Sequence, residues 1–256
     1  MDRTVHGTAR IALACLDLTS LGERDTEADV IALCARASGR HGAVAAVCVW
    51  SRFARLARER AAASVRVAAV ANFPDGSTDL SRALRDIDAI VAAGAQEVDL
   101  VLPWRALLAG DDTACAALLR AARHASAGLT LKVILETGEL RDAATIDRAA
   151  RLALAEGADF LKTSTGKTRV GATPQAADVM LRAIATDAAA RSRVGFKAAG
   201  GIRTVADASA YVEAVERTLG ARALVAARFR LGASSLLGDI EAVLDGAAGA
   251  APHEGT

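Results

Sequence analysis

The sequence predicts an α/β fold, a single (β/α)8 TIM barrel, and three observations support this prediction. Short apolar runs alternate with longer Ala-, Arg- and Leu-rich segments of helical period, which is typical of parallel strands joined by right-handed crossovers. About eight such units follow one another without a break in composition, whereas an open sheet more often has about five or six strands. The chain length of 256 residues is close to the roughly 250 of a typical barrel.

The barrel domain is predicted to cover residues 1–246, and the Gly-, Ala- and Pro-rich segment 247–256 is predicted to be a flexible tail. Several of the predicted strands are apolar almost throughout, as parallel strands covered on both faces should be. The eight predicted strands cover residues 11–19, 42–50, 65–73, 96–102, 129–136, 158–164, 194–200 and 227–234.

A helix is predicted after each strand. The first covers residues 25–37, where Asp25 or Thr26 is the expected N-cap and Gly39 follows the last turn. The second follows Ser51, and the third comes after the turn at residues 74–77 and ends near Gly94. The remaining helices are predicted at about residues 103–127, at 142–156, from Pro174, at 204–219 and from Ser234.

Composition excludes several classes of function. Apolar residues make up 52% and aromatic residues only 3%, so the core must consist of Ala, Val, Leu and Ile. The net charge of +1 argues against a nucleic-acid surface. No uninterrupted apolar stretch approaches the roughly 20 residues of a membrane span, and no signal peptide is predicted. We therefore expect a cytoplasmic protein without a membrane or nucleic-acid partner.

Cysteine and histidine placement gives no indication of a metal or of disulfides. Cys15, Cys34, Cys48 and Cys115 lack paired short spacing, which favours a reduced setting with the cysteines mostly filling the core. None of the four histidines lies at a predicted strand end; the histidines are His6, His41, His124 and His253. No metal ligand set and no cofactor are therefore expected, which argues against a zinc-dependent aldolase.

Lysine is rare in this chain, and its few positions predict the chemistry. Of 31 Lys and Arg residues, four are lysines, namely Lys132, Lys162, Lys167 and Lys197. Arginine stays protonated at working pH, whereas a buried lysine can lose its proton and act as a nucleophile. The few lysines are therefore candidates for a task that arginine cannot perform, although their survival by chance is the alternative for any single one.

Lys162 and Lys197 end apolar runs on the consecutive predicted strands six and seven. Neighbouring strands are about 4.8 Å apart, so the two amines could approach to roughly 6 Å. At an effective dielectric constant of about 20, two cations at that distance repel by roughly 3 kcal/mol. This repulsion predicts a neutral amine that can attack a carbonyl and form a Schiff base. Asp99 on strand four could move protons directly or through water, or could pair with a lysine in a purely structural role.

Two glycine- and serine-containing loops predict a phosphate site. Gly200 and Gly201 follow strand seven, and the run GASS at residues 232–235 follows strand eight at the start of a helix. Glycines allow backbone N–H groups to approach an anion, and the helix N-terminus and the serine hydroxyls favour it further. A phosphate site after strands seven and eight is frequent in these barrels.

Seven segments of the sequence resemble the deoxyribose-phosphate aldolase family and follow one another in the family's order over most of the chain. They are LDLTSL (16–21), ANFPDGS (71–77), EVDLVLPWRALLAG (97–110), LKVILETGEL (131–140), FLKTSTGK (160–167), GFKAAGGIR (195–203) and RLGASSLL (230–237). The resemblance implies a metal-independent class I aldolase on a (β/α)8 barrel. Its expected reaction is the reversible cleavage of 2-deoxy-D-ribose 5-phosphate to D-glyceraldehyde 3-phosphate and acetaldehyde.

The resemblance also implies residue roles. Lys162 matches the Schiff-base lysine, Lys197 the lysine that depresses its pKa, and Asp99 the acid that relays protons with water. The positions that match phosphate-contacting loops are Thr165, Gly166, Lys167, Gly200, Gly201, Gly232, Ser234 and Ser235. The positions that match supporting residues near the substrate are Asp17 and Cys48. Glu97 has the same strand parity as Asp99 and is expected to face inward and pair with Lys132.

Three departures from the family pattern leave these catalytic groups in place. Trp50 and Ser51 stand where the family has a tyrosine and a proline, and Ala198 replaces another proline. The sequence ends in Thr256, whereas longer relatives end in a tyrosine that assists proton exchange, so slower turnover is expected. Another Schiff-base phosphosugar aldolase or transaldolase, and a barrel that only binds a phosphorylated ligand, remain alternatives. The expected partners are a small phosphorylated sugar and acetaldehyde, and a homodimer is left open.

Overall fold

A computed structural model of the chain describes residues 4–246 and contains a closed barrel of eight parallel strands. Each strand pairs with the next one along the chain, and the last pairs with the first, which confirms the predicted (β/α)8 architecture. The strands are β1 Leu16–Thr19, β2 Ala46–Trp50, β3 Arg66–Ala71, β4 Glu97–Val101, β5 Thr130–Ile134, β6 Phe160–Lys162, β7 Gly195–Ala199 and β8 Phe229–Ala233.

Helices connect the strands and cover the barrel. They are α1 Val5–Ala14, α2 Glu27–Arg36, α3 Ala54–Arg60, α4 Leu80–Ala92, α5 Trp104–Leu108, α6 Asp112–Ala125, α7 Ala143–Ala155, α8 Pro174–Thr186, α9 Val205–Leu219 and α10 Leu236–Leu244. Side-chain caps define several starts, because Thr26 and Thr204 each accept the backbone N–H three residues later and form a capping box. Thr26, and not Asp25, is therefore the N-cap of α2.

The start of the chain differs from the prediction. Residues 11–14 belong to the helix α1 and not to the first strand, which begins only at Leu16. Thr4 caps α1 by accepting the N–H of Gly7, and the helix packs against α9 and α10. A short apolar run does not distinguish a buried strand from a buried helix face. The end of α1 and the strand β1 were therefore predicted as one strand.

Two further predicted elements are also divided. The helix predicted at 103–127 consists of α5 and α6, separated by Gly110 at φ 88° and by Asp111, which caps α6. The strand predicted at 42–50 begins at Ala46, because Gly42–Ala43 pairs with Ser38–Gly39 in a separate antiparallel ladder. Neither difference changes the order or direction of the barrel strands.

The barrel interior contains a polar layer as well as an apolar core. Asp17, Asp99 and Lys197 lie within their strands and not at the carboxyl ends, so their side chains lie deep in the barrel. The register places Lys162 beside Lys197 and Asp99 beside Lys132. Because side chains alternate along a strand, residues of equal parity on these neighbours share the interior.

Other features of the described residues agree with the sequence. Cys15, Cys34, Cys48 and Cys115 are all buried free thiols. Within residues 4–246, every helix is too short or too polar to cross a lipid bilayer. The predicted tail at 247–256, together with His253, lies outside the described residues.

Candidate active site

Lys162 occupies the last position of β6 and is only 2% exposed. Its Nζ donates a hydrogen bond to Asp99 Oδ2 at 2.7 Å. Burial lowers the pKa of Lys162 below its ordinary value, and the nearby charge of Lys197 lowers it further, while Asp99 acts in the opposite direction. Lys162 is therefore the lysine of the site whose amine is most readily deprotonated.

Lys197 reaches the same carboxylate oxygen. Its Nζ lies 2.8 Å from Asp99 Oδ2 and 2.5 Å from Asp17 Oδ2. Because the amines of Lys162 and Lys197 lie 2.7 Å and 2.8 Å from one oxygen, they can be no more than 5.5 Å apart. This bound agrees with the roughly 6 Å expected from the strand spacing.

The two lysines hold their protons with different strength. Burial disfavours the charged form of Lys197, but Asp17 and Asp99 outweigh burial and raise the pKa of Lys197 above its ordinary value. The electrostatics therefore assign the charge to Lys197 and leave Lys162 as the candidate nucleophile. The strand spacing predicted only that one of the pair should be neutral, whereas the family resemblance implied that Lys162 is the nucleophile. The largest single cause of the lowered Lys162 pKa is burial, whereas the sequence suggested the neighbouring cation.

Asp99 is the centre of the site. Burial would raise the pKa of its carboxyl, but Lys132, Lys162 and Lys197 together hold that pKa well below the ordinary range. Lys132 donates to Asp99 Oδ1 at 2.7 Å, so both carboxylate oxygens have amine partners. The Cys48 thiol lies 3.8 Å from Oδ2, and its pKa is raised by burial.

A buried ion network extends below Asp99 into the barrel. Arg230 donates to Asp17 at 2.6 Å and to Glu97 at 2.7 Å, and Lys132 forms an ion pair with Glu97. The predicted pairing of Glu97 with Lys132 is thus confirmed. Arg66 is an exposed residue at the start of β3, and its Nε forms an ion pair with Glu97 Oε1 at 2.5 Å. The network fixes the carboxylates that in turn fix Lys162 and Lys197.

A cavity of about 450 Å³ opens above Lys162. All eight residues predicted to contact phosphate line this cavity, namely Thr165, Gly166, Lys167, Gly200, Gly201, Gly232, Ser234 and Ser235. Lys162 is buried whereas Lys167 and Ser235 are exposed, so the candidate nucleophile lies deep and the predicted phosphate contacts lie nearer the mouth. Asp17 and Cys48 do not line the cavity and are fully buried beside Lys197 and Asp99.

Close backbone approach explains the glycines at the cavity mouth. Gly200 has φ 89°, and a Cβ at this position would lie 3.0 Å from the Cα of Gly171 and 3.4 Å from that of Gly166. Only glycine adopts this conformation without strain. The loops after β6 and β7 can therefore lie side by side and present their N–H groups to one region.

Four residues with polar side chains line the cavity but were not predicted as site residues. They are Thr19, Ser20, Asp25 and Arg203. Arg203 stands directly after the run AGGI in a quoted motif, so its position next to the glycines was the available signal. Arg230 was also missed, although it is two residues before Gly232 and thus of the same strand parity. Within residues 4–246, no three His, Cys, Asp or Glu side chains are grouped so that they could hold a metal ion.

Known proteins resemble this chain over nearly its whole length. The family described as DeoC/LacD family aldolase matches residues 11–240. A protein of Agrobacterium fabrum (strain C58) named deoxyribose-phosphate aldolase is 46% identical over 243 residues, which is 93% of this chain and 92% of that protein.

Solved structures show the same likeness. The apo form of a protein from Toxoplasma gondii ME49, provisionally named deoxyribose-phosphate aldolase, superposes with a TM-score of 0.86 at 26% identity and covers 94% of this chain and 98% of its own. The tetrameric deoxyribose phosphate aldolase from Aeropyrum pernix gives a TM-score of 0.73 at 26% identity, covering 95% of this chain and 98% of its own.

Proposed function

The chain belongs to the DeoC/LacD family of aldolases, and on this premise we propose that it reversibly cleaves 2-deoxy-D-ribose 5-phosphate to D-glyceraldehyde 3-phosphate and acetaldehyde. The observation that carries the proposal is the position of Lys162. This buried amine of lowered pKa shares one oxygen of Asp99 with Lys197 and lies at the base of a cavity that has phosphate-type loops at its mouth.

The first stage of the reaction is imine formation. The neutral amine of Lys162 attacks C1 of the open-chain aldehyde, and the resulting carbinolamine loses water to give a protonated imine. Asp99 lies 2.7 Å from Nζ and is positioned to accept the proton that the amine loses and to return it, directly or through water, to the departing hydroxyl. Lys197 remains a cation beside Asp99 and keeps this carboxylate ionised.

The second stage breaks the carbon–carbon bond. Removal of the proton from the C3 hydroxyl allows the bond between C2 and C3 to break, and its electron pair moves toward the imine nitrogen. Glyceraldehyde 3-phosphate leaves, and an enamine remains on Lys162. Protonation of C2 and addition of water then release acetaldehyde and regenerate the lysine amine. The same acid–base partner, Asp99, serves the protonation.

Residues at the cavity mouth bind the phosphate group of the substrate. Lys167 and Arg203 bring positive charge, and the N-terminus of α10 begins directly after Ser234 and Ser235. A helix N-terminus with glycine N–H groups and serine hydroxyls favours a dianion. When the phosphate group binds at the mouth, the aldehyde end of the open-chain sugar points toward Lys162.

Substitution Lys162→Met tests the proposed reaction. Methionine removes the nucleophile, so cleavage of 2-deoxyribose 5-phosphate should fall on the order of a thousandfold or more. Both products, acetaldehyde and glyceraldehyde 3-phosphate, should be measured in the presence of a chelator, which is expected to leave the wild-type rate unchanged. Wild-type activity on fructose phosphates without activity on deoxyribose 5-phosphate would favour the alternative aldolase. Absence of any imine chemistry would favour a binding barrel.

Assembly and location remain proposals of the same kind. The sequence leaves a homodimer open, and the tetramer of the similar Aeropyrum pernix protein supports an assembly of some order. Light scattering at several protein concentrations tests this. A cytoplasmic location is supported by the four buried free thiols, which a reducing compartment would preserve.

A further inference from the structure

Glu136 is a buried carboxyl whose partners differ from those of the other buried acids. Asp17, Glu97 and Asp99 each form ion pairs with lysine or arginine. Glu136 is fully buried two residues after the end of β5, and among residues 4–246 no lysine or arginine nitrogen lies within ion-pair distance of its carboxyl. Burying a carboxylate without a cation is unfavourable unless hydrogen bonds replace the lost water.

Within the described part of the chain, all hydrogen bonds to the Glu136 side chain come from residues 165–168, here called the phosphate loop. The N–H and the hydroxyl of Thr165 donate to its two oxygens at 3.2 Å and 2.5 Å. The Thr168 hydroxyl lies 3.3 Å from Oε1. The Thr165 hydroxyl in turn accepts the N–H of Lys167 at 3.0 Å, so Glu136 is linked through one side chain to the backbone of the cationic residue.

The opposite side of the phosphate loop is limited by backbone contact. Gly166 has φ 76°, and Gly200 approaches it so closely that a Cβ on Gly200 would lie 3.4 Å from the Gly166 Cα. The loop is thus held between the Glu136 carboxylate and the loop after β7. Glu136 itself has φ 59°, a left-handed conformation that is unfavourable for a residue other than glycine.

We propose that Glu136 is a positioning residue that presents the phosphate loop to the phosphate of the substrate, and so contributes to the preference for phosphorylated over unphosphorylated sugars. The inference rests on the proposed function. Glu136 does not line the cavity and so acts through Thr165 and Lys167, not by contact with the ligand. A carboxylate held away from the anion can orient the N–H groups without adding a charge at the binding surface.

The substitution Glu136→Gln tests this role because it preserves size but replaces one of the two acceptor oxygens with a donor. The rates with 2-deoxyribose 5-phosphate and with 2-deoxyribose should be measured side by side. We expect the ratio of the two kcat/KM values to fall about tenfold, mainly through KM for the phosphorylated sugar. Inhibition of the 2-deoxyribose reaction by inorganic phosphate should weaken by a similar factor.

Two variants make the test specific. Glu139→Gln changes a partly buried acid three residues after Glu136, outside the phosphate loop, and should leave the kcat/KM values for both sugars unchanged. Thr168→Val removes one donor to Glu136 at nearly constant volume and should lower the ratio less than Glu136→Gln, and this variant decides the question should Glu136→Gln not fold. An unchanged ratio, or an equal loss with both sugars, would overturn the role of Glu136. Wild-type protein inactive on both sugars would instead refute the proposed function.

Discussion

Two lysines that share one carboxylate oxygen differ in their readiness to lose a proton. Lys162 has a single anionic partner, Asp99, and burial lowers its pKa. Lys197 has two anionic partners, Asp17 and Asp99, and these raise its pKa in spite of burial. The additional carboxylate of Asp17 therefore distinguishes Lys197, which remains a cation, from Lys162, the proposed nucleophile.

Removal of the cation should change the pH dependence of the reaction. Because Lys197 lowers the pKa of Lys162, Lys197→Met should raise that pKa and keep more of the Lys162 amine protonated. The acid limb of kcat/KM should then move to higher pH, and activity near neutral pH should fall about tenfold or more. A pH–rate profile measures this, with the charge-preserving Lys197→Arg for comparison. An acid limb at the same pH in Lys197→Met and wild type would contradict the electrostatic role.

The sequence predicted the candidate reactive residues better than it predicted their partners. The scarcity of lysine and the strand-end motifs led to Lys162, Lys197 and Asp99, which the structure brings together. Arg230 escaped notice because arginine is abundant in this chain, so residue type carried no information there. Which lysine is neutral depends on contacts between strands distant in sequence, and no local pattern encodes these contacts.

Four strands contribute the ion network that supports the site. β1, β4, β5 and β8 supply Asp17, Glu97, Lys132 and Arg230, and all four side chains are buried. Each of these residues forms ion pairs with residues on at least two other strands. The network therefore couples the position of Asp99 to the closure of the barrel.

Loss of one member of this network should be costly. Glu97→Ala removes one buried anionic partner from Arg230, which keeps Asp17, and one from Lys132, which keeps Asp99, so the free energy of unfolding should fall by about 3 kcal/mol. Arg120→Ala, which removes an exposed pair with Glu156, should change it by less than about 1 kcal/mol. Urea denaturation of both variants measures the difference. Equal effects of the two substitutions would show that the buried network adds no stability.

Element boundaries were the least predictable part of the fold. The eight strands were found because each is an apolar run with helices on either side, and the closed order follows from their number. Residues 11–14 were misassigned because the apolar run IALACL crosses from α1 into β1 without a break. Gly110 and Asp111, a left-handed glycine and an N-cap, were the local signals that separate α5 from α6.

The whole molecule concentrates carboxylates in the barrel interior, which should make it sensitive to acid. The pKa values of Asp17, Glu97 and Asp99 are lowered because buried cations outweigh the effect of burial. These carboxyls bind protons more weakly in the folded than in the unfolded chain. Their contribution to stability is complete above the unfolded pKa of about 4 and is lost as the pH falls through the lower folded values.

Denaturation midpoints at a series of pH values test this linkage. The free energy of unfolding should be nearly constant between about pH 5 and 7 and should fall steadily below about pH 4. Glu97→Gln removes one of the three titrating groups and should flatten this decline. A wild-type stability that stays constant down to about pH 3 would contradict the assignment of the three interior carboxylates as ionised.

The closed barrel places the deprotonatable amine of Lys162 at the base of a cavity, with Asp99 buried beside this amine and the predicted phosphate-contacting loops at the cavity mouth. We propose that Lys162 is the nucleophile. Treatment with acetaldehyde and borohydride, followed by peptide mapping, tests the claim most directly, because reduction fixes an imine as an ethyl group on the reacting nitrogen. We predict modification at Lys162 in the wild type and none at that peptide in Lys162→Met. An unmodified protein, or an ethyl group on Lys197 or Lys132 in place of Lys162, would contradict it.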